Sequence, residues 1–262
     1  MADVPPVELG HALVGFLEPH AGHERAFHRW YARDHLYRAG VCAPGTLAAR
    51  LWIAPPDLRA LREPRGANPI GGDAARGTHL STFWVQQGAL DEQQRFVAAS
   101  MEAQRARGES FPHRDHLFTH RYRHAGSVRR DPDGVPPELA LDHRYAGLVA
   151  AWVDCAPGQP LAGLESALRE RALPALLAGS PAELAVVLAL MPKPPEWPAD
   201  FPEPPGLGQR LLVLCFVAGD VRDAWPAHFA GLASRLAAHG AGTLALAAPF
   251  DADVPGVDPD FL

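Results

Sequence analysis

An α+β fold made of two tandem β-α-β-β-α-β units is what this sequence predicts. Three observations carry the expectation. The hydrophobic period switches between strand-like and helical in the same order twice. A long Pro/Gly-rich loop follows the second strand of each half, over 55–78 and 192–208. Strand starts near 12 and 146 set the halves about 134 residues apart. With 262 residues, 47% of them hydrophobic, the chain can fill a sizeable core.

The elements follow in order. HALVGFL, 11–17, is an apolar run of strand length. Residues 23–38 have helical spacing, with Phe27, Trp30 and Tyr31 on one stripe. GTLAARLWIA, 45–54, reads as a strand that Pro55 and Pro56 end. HLSTFWVQ, 79–86, is rich in aromatic and β-branched residues. A polar helix over 89–107 precedes the strand HLFTHRYRH, 116–124. In the second half, 145–153 is a strand and 160–179 a helix stopped by Gly179. Residues 182–192 and 209–219 are apolar strands. A helix from Asp223 to Gly240 carries Trp225, Phe229, Leu232 and Leu236, and 242–250 is the last strand. The domains are thus 1–125, a linker 126–143, and 144–262. Each unit is a split βαβ, ferredoxin-like motif with helices on one face only. Packing the two bare faces together would cover both.

Composition removes several functions. The formal net charge of −6 argues against phosphate-neutralising nucleic-acid binding. No apolar run reaches the roughly 18 residues of a membrane span, and the first ten residues lack the plan of a signal peptide. Cys42, Cys155 and Cys215 are far apart and odd in number, so neither a disulfide framework nor a CxxC metal pattern follows. A reduced, cytoplasmic setting is the simplest expectation. No GxSxG elbow appears, and the Gly-rich stretch 66–77 fits neither a Walker nor a Rossmann pattern. That stretch reads as a lid over the first sheet or as a plain connection.

The stretch AFHRWYARDHLY, 26–37, followed by Pro44-Gly45 and a strand, resembles the dimeric α+β barrel superfamily, and within it the EthD-like and antibiotic-biosynthesis branches. The resemblance covers about 30 residues. Phe27, His28, Trp30, Tyr31 and His35 carry it, with His28 standing where the family often has Asn. It implies a ferredoxin-like barrel, here as an internal pseudo-dimer, alone or in a higher homo-oligomer. It leaves the reaction open among cofactor-free cyclases, isomerases, lyases such as decarboxylases, monooxygenases and haem enzymes.

Chemistry-bearing residues concentrate in the first half, which holds most of the 13 histidines. His28, Tyr31 and His35 share one helix face at i, i+3 and i+7. A Tyr–His pair on a cavity suits acid–base work; the competing reading is that His35 caps the helix C-terminus. On the strand 116–124, His116, Phe118, His120, Tyr122 and His124 alternate with Leu117, Thr119, Arg121 and Arg123. Either face can look inward. His116 and His120 lie about 13 Å apart on a strand, too far to share one ion, so no metal site is expected. The second half offers only His228 and His239 as haem ligands and reads as an apolar cover. The expected function is a cofactor-independent enzyme for an enolisable or aromatic polyketide-like small molecule. His35, Tyr31 and His116 are its catalytic candidates. His28, Trp30, Phe83, Trp84, His120 and Arg121 would contact substrate in a hollow between the sheets. The alternatives are a non-catalytic barrel that binds an apolar ligand, and a haem or metal protein of the same fold.

Overall fold

The computed structural model describes residues 6–194, 197 and 203–262. Part of the expected loop 192–208 lies outside the described residues. In chain order the strands are β1 (Leu9–Pro19), β2 (Thr46–Ile53), the two-residue β3 (Ala67–Asn68) and β4 (Gly72–Asp73), β5 (His79–Gln86), β6 (Arg114–Arg129), β7 (Gly147–Asp154), β8 (Ala182–Leu190), β9 (Arg210–Val217) and β10 (Thr243–Ala252). Eight of them close an antiparallel barrel in the order β1-β5-β2-β10-β7-β9-β8-β6. The first half contributes β6-β1-β5-β2 and the second β10-β7-β9-β8, the same arrangement of fourth, first, third and second strands within each half. The expected fold is therefore the observed one.

The two borders between the halves are unequal. β6 pairs with β8 from Tyr122–Leu190 to Arg129–Leu184. β2 and β10 meet only at Ile53–Asp251 and Trp52–Ala252. Beyond that point Glu63 takes the place of a strand, exchanging backbone hydrogen bonds of 3.1 and 2.6 Å with Ala247.

The helices lie outside the barrel. In the first half α1 (Glu24–Trp30) runs into π-helical turns at Tyr31–His35 and Tyr37–Val41. It packs beside α3 (Leu90–Ala106), and the short α2 (Pro56–Arg59) follows β2. In the second half α4 (Leu161–Ala167), a π turn and α5 (Leu173–Leu177) cover the sheet with α6 (Val221–Ala224) and α7 (Leu232–Ala238). The single helix expected from Asp223 to Gly240 is broken. Its π turn Trp225–Phe229 contains Pro226, which has no N–H to donate, and Gly231 turns left-handed at φ +70°.

The hollow expected between the sheets is filled. Alternation along the strands sends Phe16, Trp52, Trp84, Tyr122, Trp152, Phe216 and Phe250 inward, and all are fully buried. Aromatic side chains bury large areas and set most of the core energy. Both ends are plugged. The connector expected as a plain linker begins as the last residues of β6, then inserts Ala140 and Leu141 into one end, with Tyr145 just beyond it. Trp84 donates to the Pro137 carbonyl there at 2.9 Å. At the other end the Gly-rich stretch places Ile70 in the core. It is a stopper for the barrel rather than a lid over the sheet.

Helix α1 ends tightly on the first sheet. A Cβ at Gly40 would stand 2.0 Å from the Phe83 ring. Gly40→Ala should therefore cost about 2 kcal/mol, since overpacking forces side chains or backbone to shift. A fall in the denaturant midpoint with an unchanged slope would show it.

Candidate active site

The layer between α1, α3 and the outer face of the first sheet gathers the polar groups. Phe27, Tyr31, Ala32 and Leu36 pack there against Leu17, Leu51 and Phe83. Tyr31 and His35 thus lie outside the barrel, because the apolar stripe of α1 covers the sheet's helix-bearing face. Phe83 faces this layer, while its neighbour Trp84 points into the filled barrel.

A relay of hydrogen bonds holds His35. Ser100 Oγ donates to the Arg38 carbonyl at 2.9 Å, and Gln104 Nε2 donates to Ser100 Oγ at 3.2 Å. Gln104 Oε1 can then only accept, so His35 Nδ1–H donates to it at 3.3 Å. That tautomer leaves Nε2 with a free lone pair. Burial pushes the His35 imidazole down to about 4, against the pull of the Gln104 bond. Trp30 stacks on His35 with ring centroids 4.3 Å apart and donates its indole N–H to the Glu109 carbonyl at 3.0 Å. The Tyr31 hydroxyl donates to Ser81 Oγ at 2.8 Å, and burial raises the phenol to about 12.

Arg114, which the sequence reading passed over, joins these groups to His116. Its guanidinium sits 5.0 Å from the centre of the Trp30 ring. Its Nε donates to His116 Nε2 at 3.1 Å, so His116 Nδ1–H donates to Thr119 Oγ1 at 3.0 Å. Burial lowers the Arg114 pKa, and Tyr31 acts in the opposite direction.

His116 reaches this cluster because β6 bulges. Phe118 pairs with Phe16, yet Leu17 pairs with His116, so one extra residue is absorbed between them. The expected common face of His116, Phe118 and His120 is broken there. His120 and Tyr122 follow Phe118 to the barrel side; His120 is buried and its ring lies edge-on to Phe118 at 4.3 Å. Burial pushes His120 down to about 4. Arg121 points to the other face, and its Nη2 donates to the Pro192 carbonyl at 3.3 Å. The structure brings together Trp30, Tyr31, His35 and His116, and separates from them Trp84 and His120, which lie on the barrel side.

His28 occupies a neighbouring buried pocket that the sequence reading also missed. Its Nε2 lies 3.6 Å from Asp253 Oδ1 and 3.3 Å from the Val257 carbonyl. The His79 ring stands 5.6 Å away and bonds Thr78 Oγ1 at 2.8 Å. Burial lowers His79 to about 3 and raises Asp253. The C-terminal segment roofs this pocket: Asp258 pairs with Arg29 and Arg33, and Arg25 donates to the Leu262 carbonyl at 2.6 Å. Among the described residues no group of three or more His, Cys, Asp or Glu is placed to hold a metal ion. No helix among them is long and apolar enough to cross a membrane.

Comparison with known protein families finds no match. Comparison with curated proteins finds none either. Solved structures are similar in fold. An anthrone oxidase-like protein superposes with a TM-score of 0.53 at 12% identity, covering 97% of this chain and 98% of that one. A haem-bound variant of DypB from Rhodococcus jostii gives 0.54 at 10% identity, over 100% and 98% of the chains.

The residues here do not fit a haem. In the second half the layer outside the sheet is closed by Leu164, Leu168, Leu173, Trp225, Phe229 and Leu236, all buried. His228 is only half-buried and lies outside that packed layer, and the half-buried His239 borders a pocket of about 200 Å³ at the outer side of Leu176, Leu232 and Leu236. In the first half Phe27, Tyr31, Leu36 and Phe83 fill the matching space. What the comparisons and the strand order establish together is the fold: a ferredoxin-like α+β barrel closed within one chain.

Proposed function

We propose that the chain is a small-molecule enzyme that moves protons on an enolisable aromatic carbonyl compound without a bound cofactor. Its site is the surface formed by Trp30, Arg114 and His116, with His35 behind them. One observation carries this reading: the Gln104–Ser100 relay fixes a neutral His35 with Nε2 unprotonated, beside a cation and a large aromatic ring. Trp30 supplies a stacking surface for a planar substrate. Arg114 supplies positive charge where an enolate oxygen develops. His35 Nε2 is the base that takes the carbon-bound proton, and the Gln104 bond steadies the imidazolium that forms. Tyr31, bonded to Ser81, serves as a positioning residue under His35, their rings 5.0 Å apart. The fold likeness to an anthrone oxidase-like protein suggests the probe. Anthrone has an acidic methylene and a carbonyl in a flat tricycle.

The test is solvent-deuterium exchange into the anthrone methylene, followed by NMR. The wild-type chain should exceed the buffer rate. His35→Gln should lower kcat by about 100-fold or more, the scale of a lost general base. Arg114→Gln should chiefly lower kcat, by about 100-fold, because the charge it stabilises develops only in the transition state. Exchange at the buffer rate with wild type, or an unchanged rate in His35→Gln, overturns the reading.

A further inference from the structure

A second site is suggested by three arginines that form no salt bridge among the described residues. Arg59, Arg62 and Arg65 line a pocket of about 400 Å³ beneath the stopper loop, together with Gly66, Asp73 and Ala74. Arg62 is 1% exposed. Its Nη1 donates to the carbonyls of Ala74, at 3.0 Å, and Arg76, and its Nη2 to that of Gly77 at 2.6 Å. Its guanidinium lies 5.4 Å from the centres of the Phe16 and Phe250 rings. Carbonyl dipoles and ring faces solvate this charge but do not cancel it. Nε of Arg62 and Nε of Arg59 are both buried without a partner among the described residues. Arg59 Nη1 donates to the Ala75 carbonyl at 2.9 Å, and Arg65 makes no ion pair among the described residues. Asp73, the one acidic residue lining the pocket, accepts instead from the Ala75 N–H at 2.8 Å. Glu18 is likewise engaged, with the N–H groups of Gly77 and Thr78.

Glu18 attracts the Arg62 charge but lies bonded to the backbone, and a buried cation so incompletely compensated is costly, the more so with Arg59 beside it. Burial, then the neighbouring Arg59, push the Arg62 pKa down to about 9. An anion in the pocket would relieve both effects. Guanidinium groups match the geometry of phosphate oxygens better than any other side chain.

We infer that the Arg59–Arg62–Arg65 pocket binds a small soluble oxyanion, a free phosphate or a phosphate monoester. The site is separate from the proposed catalytic residues and does not depend on them. Arg59 and Arg65 contact the anion, while Arg62 supplies its field from below.

Calorimetric titration tests this at low ionic strength, with inorganic phosphate and phenyl phosphate against sodium chloride of equal ionic strength. One saturable site is expected, with a melting temperature that rises with phosphate but not with chloride. Tighter binding of phenyl phosphate assigns the pocket to an ester, and tighter binding of phosphate to the free ion. Arg59→Gln and Arg65→Gln should each weaken binding by about tenfold, the worth of one charged hydrogen bond. Arg65 is exposed, so its variant tests the site even if Arg59→Gln fails to fold. Arg144→Gln, at an exposed arginine of the connector, should bind as wild type. No saturable heat beyond chloride overturns the inference. So does an Arg144→Gln variant as weak as the pocket variants.

Discussion

Acidification from pH 7 to pH 4.5 should lower the unfolding free energy by about 6 kcal/mol, roughly 2 for each of three buried imidazoles. His35 and His120 are held down to about 4, and His79 to about 3, chiefly by burial. The sign follows from proton counting. Above about 6.5 these imidazoles are neutral whether the chain is folded or not, so they contribute no slope. Between 6.5 and 4 the unfolded chain binds protons that the folded chain refuses, so stability falls as pH falls. Urea denaturation at half-unit intervals of pH checks this. His79→Gln and His120→Gln should each flatten the slope between pH 6.5 and 4.5, whatever they cost at pH 7. A slope equal to that of wild type in both would refute the assignment.

Trp52→Ala should remove about 4 kcal/mol at neutral pH, the range for deleting a buried indole. Trp52 is fully buried in the barrel core, near the end of β2. Its indole N–H donates to Thr82 Oγ1 at 3.0 Å, and its ring stands 5.9 Å from Phe216 and 4.7 Å from the Arg50 guanidinium. Alanine would leave a large void and take away the donor to Thr82 Oγ1, which keeps its own bond to the Arg50 carbonyl at 3.2 Å. A drop in the urea midpoint, measured beside a surface control such as Arg144→Gln, reads the loss. Residual stability near that of wild type would mean that the barrel collapses onto the gap.

The order of elements was legible in the sequence because apolar period and turn residues agree along both halves. Which space each face looks into was not. A stripe of Phe27, Trp30 and Tyr31 says that α1 buries one side, and sheet packing satisfies it as well as a reaction chamber does. Period-two aromatics such as Trp84 and Trp152 likewise fit a filled barrel or a ligand wall. The bulge before Phe118 left no local mark, for no glycine stands there, yet a one-residue slip turns His116 away from His120. Arg114 sat two residues before the expected start of its strand, so its approach to Trp30 depended on strand length. The pairing of His28 with Asp253 spans most of the chain, and no local pattern encodes such a contact.

The unequal borders between the halves have a kinetic consequence. Strand pairs separate most readily where fewest bonds tie them, so breathing of the barrel should begin along β2 and β10 while β6 and β8 hold as the hinge. That door is latched by Glu63, the residue next to Arg62. An anion captured among the three arginines would therefore stiffen the latch, linking occupancy of a remote surface pocket to how often the core is laid open.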